Sequence, residues 1–179
     1  MGKDETFHGF RQQPFLGIDQ FQLVAGVLTE LEAAVGPGVT TGDLDRLAER
    51  LVRAGGAEPA FKGYRGFPAT LCASINEEVI HGIPSAGRAL REGDIVSLDV
   101  GVKLDGFYGD SAVTVAIGPV PDRTQALLRV TRQSLDRAID KVRVGATLSA
   151  VGAAAQEWAE AHGFSIVREF CGHGIGRQF

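Results

Sequence analysis

The sequence predicts a mixed α/β (α+β) fold in which one helical unit occurs twice. Three observations carry that expectation. Residues 93–118, GDIVSLDVGVKLDGFYGDSAVTVAIG, read as two apolar strands joined at Asp105-Gly106, a dipeptide suited to a two-residue type I′ hairpin turn. Two pairs of segments with helical apolar periodicity flank that hairpin, one before it and one after. A shift of 107 residues lays Leu28 on Leu135, Val35 on Val142, Gly38 on Gly145, Leu44 on Val151 and Gly56 on Gly163, so the pairs read as a duplication.

Taken in order, residues 1–16 carry Gly9, Pro14 and no period, which makes them a loose lead-in. Their first six residues match the loose myristoylation pattern, read as a chance match. From Asp19, Phe21, Val24, Leu28, Leu31 and Val35 recur at helical spacing, and Gly36-Pro37-Gly38 ends the run. Thr40 or Thr41 caps a second helix with Leu44, Leu47, Ala48 and Leu51 on one face and Gly55-Gly56 at its end. A loop dense in glycine and aromatics, 58–68, precedes a strand over 69–75 and then the stretch NEEVIHGIP. After the hairpin, a third helix is expected over 123–142, a fourth over 148–161, a strand over 165–170, and a glycine-rich closing loop, CGHGIG. A first unit of about 17–120 and a second of about 121–179 follow. By the repeat, a second hairpin belongs near ~204–217, so the second unit is expected to be incomplete in this chain.

Composition excludes several classes. A chain of 179 residues fits one domain with a substantial core. A net charge of −4 without a Lys/Arg cluster argues against a nucleic-acid surface, and no run of 18 apolar residues reads as a membrane span. Cys72 and Cys171 stand far apart, a pattern suited to free thiols in a reducing cytoplasm.

The chemistry concentrates in the hairpin. With Asp105-Gly106 as the turn, Leu104 faces Phe107, Gly101 faces Asp110 and Asp99 faces Ala112. Asp99 and Asp110 then share one face, about 7 Å apart as diagonal neighbours. A loop of odd length would put them on opposite faces. Two carboxylates so close in an apolar sheet need a cation or a shared proton, and neither strand carries Lys or Arg except Lys103 at the turn. Two readings stand at this point. Either the pair binds a divalent cation through hard oxygen ligands, or one Asp caps a loop and the other faces water. His81 and His173 sit in glycine-flanked loops beside apolar strands, where a histidine serves either as a core residue or as a ligand. Gly172-x-Gly174-x-Gly176 lacks the spacing of a nucleotide loop, and no nucleophile motif is present.

SINEEVIHGIP at 74–84, SLDV followed by GDSA eleven residues after Asp99, FCGHGIGR at 170–177 and VGPGVTT at 35–41 together resemble type I methionine aminopeptidase, from about Gln20 onward. The resemblance implies the duplicated pita-bread architecture, with residues 17–179 as its catalytic domain. It implies that Asp99, Asp110 and His173 are ligands of a dinuclear site for two divalent ions (Co, Mn, Fe or Zn), with Asp110 bridging. His81 becomes the catalytic histidine that contacts substrate, while Tyr64, Phe67, Cys72 and Phe179 line the pocket for the methionine side chain. The implied activity is hydrolysis of the first peptide bond of nascent polypeptides by a cytoplasmic monomer, with the ribosome a candidate contact. In the family, a second histidine and two glutamates follow the point at which this sequence stops, so the 179-residue chain alone is expected to be inactive or nearly so and poorly stable. Two other readings remain: a non-catalytic binding or scaffold relative, and a metallopeptidase acting on X-Pro bonds.

Overall fold

The computed structural model describes residues 19–179. The expected lead-in, 1–16, lies outside the described residues. Helix α1, Gln20–Ala34, starts at Asp19, whose carboxylate accepts from the N–H groups of Phe21 and Gln22 while the Gln22 side chain returns to the Asp19 N–H. Helix α2, Thr41–Ala54, has the same device in Thr40 and Asp43. Leu23, Val27 and Leu31 of α1 and Leu44, Ala48, Leu51 and Val52 of α2 are buried together. Each large aliphatic among them stabilises the fold by about 1.5–3 kcal/mol through burial.

The two helices cover one face of an antiparallel sheet. Its strands are β1 (Glu58–Pro59), β2 (Leu71–Ile75), β3 (Ile95–Leu104) and β4 (Phe107–Ala116). β3 is central, paired along its whole length with β4 on one side and with β2 and then β1 on the other. The register is the expected one: Leu104 opposite Phe107, Gly101 opposite Asp110, Asp99 opposite Ala112. Asp105 and Gly106 both take positive φ, 51° and 80°, as a type I′ turn requires. Alternation then sorts the sheet. Val96, Leu98, Val100 and Val102 of β3 point into the helix-covered core, while Ser97, Asp99 and Gly101 point to the other face. The start of β2 is tied to α2 by the Asp45 carboxylate, which accepts from the N–H groups of both Thr70 and Leu71 at 2.9 Å.

Helices α3, Asp122–Ile139, and α4, Leu148–Ala161, pack against each other and contribute nothing to the core cluster of the first half. α2 and α4 have the same length and lie 107 positions apart, from Thr41 and Leu148. Thr40 and Thr147 are both N-caps, and Gly38/Gly145 and Gly56/Gly163 take matching φ values of 87°/86° and 78°/76°. Two expectations need correction. α3 ends at Ile139, before Val142, because the chain tightens into turns in which Lys141 and Val142 donate to Ala138 and Ile139. Residues 165–170, expected as a strand, are irregular, since no strand among the described residues lies beside them to supply a ladder. The two-residue β1 and the 3₁₀ turn Tyr64–Gly66 interrupt the loop expected over 58–68.

Candidate metal centre and active site

The uncovered sheet face carries the chemistry. Cys72 of β2 stands opposite Asp99 of β3, and Asp110 of β4 sits one diagonal step away, so three polar side chains meet on one patch of pleat. The patch floors a cavity of about 530 Å³. Phe61, Tyr64, Phe67, His81 and His173 come over its rim from three separate loops. Gly101 makes room for the aromatic wall, because a Cβ there would lie 2.5 Å from the Phe61 ring.

The carboxylates show the strain of their setting. Burial, and then the neighbouring charge of Asp110, push the Asp99 carboxyl up to about 7. Burial also raises Asp110, although its hydrogen bond with Asp99 and the nearby His173 act against that rise. Burial together with the charges of Asp99, Asp110 and Asp45 raises the Cys72 thiol to about 12, which leaves it an uncharged wall. No Lys or Arg among the described residues is paired with either carboxylate. The pair therefore holds a proton between its two members, or takes a cation.

His173 Nε2 lies 3.7 Å from Asp110 Oδ2. Two donors bound to one ion at ~2.1 Å each stand about 3.0–3.5 Å apart, so this spacing is close to that of two ligands of one ion. Hard carboxylate oxygens plus one imidazole suit a borderline divalent metal, and the donor set fits that chemistry. The described residues form no tight group of three or more donors. The imidazole is the open member, 55% exposed on a loop, whereas the two carboxylates are fixed in the ladder.

Among the described residues the closing loop reaches the sheet through one backbone bond, Tyr108 N–H to the Gly176 carbonyl at 2.8 Å, through Arg177 over the Phe107 ring at 4.4 Å, and through Phe179. The Phe179 ring packs 5.1 Å from Tyr64, 5.3 Å from Tyr108, 5.7 Å from His173 and 5.8 Å from Phe61. Of the expected site residues, Asp99, Asp110, His173, His81, Tyr64, Phe67 and Cys72 line the cavity, and Phe179 braces its wall from behind. Sequence reasoning missed Phe61, Arg65 and Ile83 on the lining and Phe170 against the His81 ring at 6.2 Å. Three-residue spacing of Phe61, Tyr64 and Phe67 was the available signal for the first of these.

Fold and site define a class, and the sequence agrees: residues 21–179 match metallopeptidase family M24, to which this chain belongs. It is 48% identical over 157 residues to the methionine aminopeptidase of Clostridium acetobutylicum, covering 88% of this chain and 63% of that protein. It is 46% identical over 159 residues to that of Escherichia coli K12, covering 88% of this chain and 60% of that protein. Among solved structures, the methionine aminopeptidase of Rickettsia prowazekii superposes with a TM-score of 0.85 at 43% identity, over 88% of this chain and 63% of that one. That of Thermotoga maritima gives 0.87 at 41%, over 89% and 64%. The architecture is thus the pita-bread fold, shared at 19% identity and a TM-score of 0.76 with a prolidase from Pyrococcus furiosus, over 89% of this chain and 46% of that one. The chain spans about three fifths of the length of the methionine aminopeptidases it matches, 63% and 60% for the two named above. No helix among the described residues is long and apolar enough to cross a membrane.

Proposed function

We propose that the protein removes the N-terminal methionine from polypeptides by hydrolysing the first peptide bond. The observation that carries this reading is the cavity in which a buried carboxylate pair, two imidazoles and an aromatic wall converge on one sheet face. Asp99, Asp110 and His173 would hold the metal, which we read as two divalent ions. When bound, such ions activate water and polarise the scissile carbonyl. His81 meets the substrate beside the scissile bond and donates to its oxygen. Tyr64, Phe67 and Cys72, backed by Phe179, receive the methionine side chain, and the neutral Cys72 thiol keeps that pocket apolar. Relatives near 45% identity that bear the name methionine aminopeptidase support this assignment over action at X-Pro bonds, since the prolidases match at about 20% identity and share the fold alone. We place the enzyme in the cytoplasm as a monomer acting on nascent chains, with the ribosome as a candidate contact, and read residues 17–120 and 121–179 as two copies of one unit.

The test is release of free methionine from Met-Ala-Ser by the protein at its natural length, loaded in turn with Co, Mn, Fe or Zn. Leu-Ala-Ser and Ala-Pro-Ser serve as comparators. Methionine release that Asp110→Asn abolishes is the expected result. Loaded protein that releases no methionine, or that prefers the proline peptide, overturns the reading.

A further inference from the structure

His81 lies in the left-handed region at φ 61°, where a residue with a Cβ is strained. The residue after it explains how it stays there. Gly82 is buried, donates its N–H to Ser74 Oγ at 3.0 Å, and accepts from the Ala73 N–H at 2.9 Å. Its approach to β2 is so close that a Cβ on Gly82 would run into the Ala73 carbonyl. Ser74 is 3% exposed and stands on the same face of the sheet as Cys72, two residues before it, and so on the face that carries Asp99.

The other end of the loop is closed as well. The Glu78 carboxylate accepts from the Ile75 N–H at 2.9 Å and from both terminal nitrogens of Arg88 at 2.9 Å. Asn76, at φ 54°, accepts from the Ile95 N–H at 3.0 Å and donates to Asp94 at 2.8 Å. The segment between these ties is exposed, Val79 at 60% and Ile80 at 40%. Among the described residues, the Ser74–Gly82 bond and the Ala73–Gly82 bond hold the backbone next to the imidazole, and the first is the one a side chain supplies.

We infer that Ser74 is a positioning residue for His81: its hydroxyl oxygen, as acceptor of the Gly82 N–H, fixes the left-handed turn that presents the imidazole to the cavity. The inference rests on the proposal that the His81 ring meets the substrate there. Removing the oxygen leaves a buried N–H unpaired, and the backbone at His81 relaxes toward ordinary φ, carrying the ring off its place. A shift of that kind acts on the chemical step more than on binding, because a displaced donor meets the substrate but not the transition state.

The chain has four histidines, His8, His81, His162 and His173, so ring signals in a proton–carbon NMR spectrum are few and His81→Gln assigns the one of interest. Ser74→Ala is expected to move or broaden the His81 ring signal and to leave those of His162 and His173 in place, and Ser74→Thr, which keeps the hydroxyl, is expected to restore it. Should Ser74→Ala fail to fold, Ser74→Cys keeps the volume with a weaker acceptor and gives the same comparison. A His81 signal unchanged in a folded Ala or Cys variant overturns the inference. In the natural-length protein, kcat for methionine release should fall on the order of tenfold with KM within about twofold. A raised KM at constant kcat would overturn positioning in favour of plain loop support. A shifted His81 signal in a protein that releases no methionine supports the positioning role and sinks the peptidase reading instead.

Discussion

Replacing Asp99 with Asn should stabilise the metal-free protein near neutral pH, the reverse of what loss of a polar site residue usually brings. In the folded chain the Asp99 carboxyl is pushed from 3.8 to about 7, chiefly by burial and then by Asp110. A raised carboxyl means that the folded state holds a proton the unfolded state has lost between those two values. Stability therefore falls as pH rises through that window, and is unaffected below it. Three units at ~1.4 kcal/mol each set a ceiling of about 4 kcal/mol. Asn keeps the shape and part of the burial cost while Asp110 still titrates beside it, so about half of that, ~2 kcal/mol, is the expected gain. For a chain of this size it corresponds to about 4–8 °C in Tm. The assay is thermal unfolding of both proteins with a chelator at about pH 5 and about pH 8, followed by the same pair at pH 8 with a divalent ion. Asp99→Asn should melt higher at pH 8 and by less than half that margin at pH 5, which lies low in the window, and added ion should raise the parent but not the variant. A variant that melts below the parent at pH 8 without metal, or a difference that does not depend on pH, would refute the argument that the pair is an uncompensated charge.

The other expectations follow from packing and exposure. Gly101→Ala places a Cβ 2.5 Å from the Phe61 ring, so the aromatic wall must swing, at a cost of about 1–3 kcal/mol measurable by urea unfolding; an unchanged midpoint would count against the cavity as described. Iodoacetamide near pH 8 should add one label to the folded protein, at exposed Cys171, while Cys72, buried and raised to about 12, reacts only after denaturation. Two labels on intact folded protein would contradict that environment for Cys72. His173→Ala should weaken binding of a single divalent ion by at least about tenfold in calorimetry, and equal affinity would remove His173 from the ligand set.

The hairpin register was legible because Asp105-Gly106 leaves the turn one conformation, and once the turn is set every opposed pair follows, Asp99 and Asp110 included. Helix starts were legible for a similar local reason: Asp19, Thr40 and Thr147 each bond to N–H groups within three residues. What escaped was non-local. A strand over 165–170 needs a neighbour, and the strand-forming residues Ile166, Val167 and Phe170 say nothing about whether one arrives. β1 exists only because β3, ten residues long, outruns the five of β2 and leaves a length of edge for Glu58 and Pro59 to pair with. Phe61 reached the lining by packing over Gly101, forty positions away, and Phe170 reached the His81 ring from eighty-nine positions on (170 minus 81). The Phe170 contact has no trace in spacing, and the three-residue recurrence of Phe61, Tyr64 and Phe67 gave only a local hint of the first.

The two sides of the cavity differ in how firmly they are tied. Asp99 and Asp110 sit in a ladder flanked by core residues, whose amides exchange with solvent only when the whole unit unfolds. His173 and Phe179 hang on a segment joined to that ladder, among the described residues, by one backbone bond, Tyr108 to Gly176, and by the contacts of Phe179 with Tyr108 and of Arg177 with Phe107. Such a segment opens at a small fraction of the global free energy, so in hydrogen exchange residues 171–178 should lose protection orders of magnitude sooner than 96–102. The imidazole side of the site is then present only for the fraction of time residues 171–179 are docked. Any ligand that joins Asp110 to His173 bridges sixty-three positions of chain (173 minus 110) and converts that intermittent half into a permanent one.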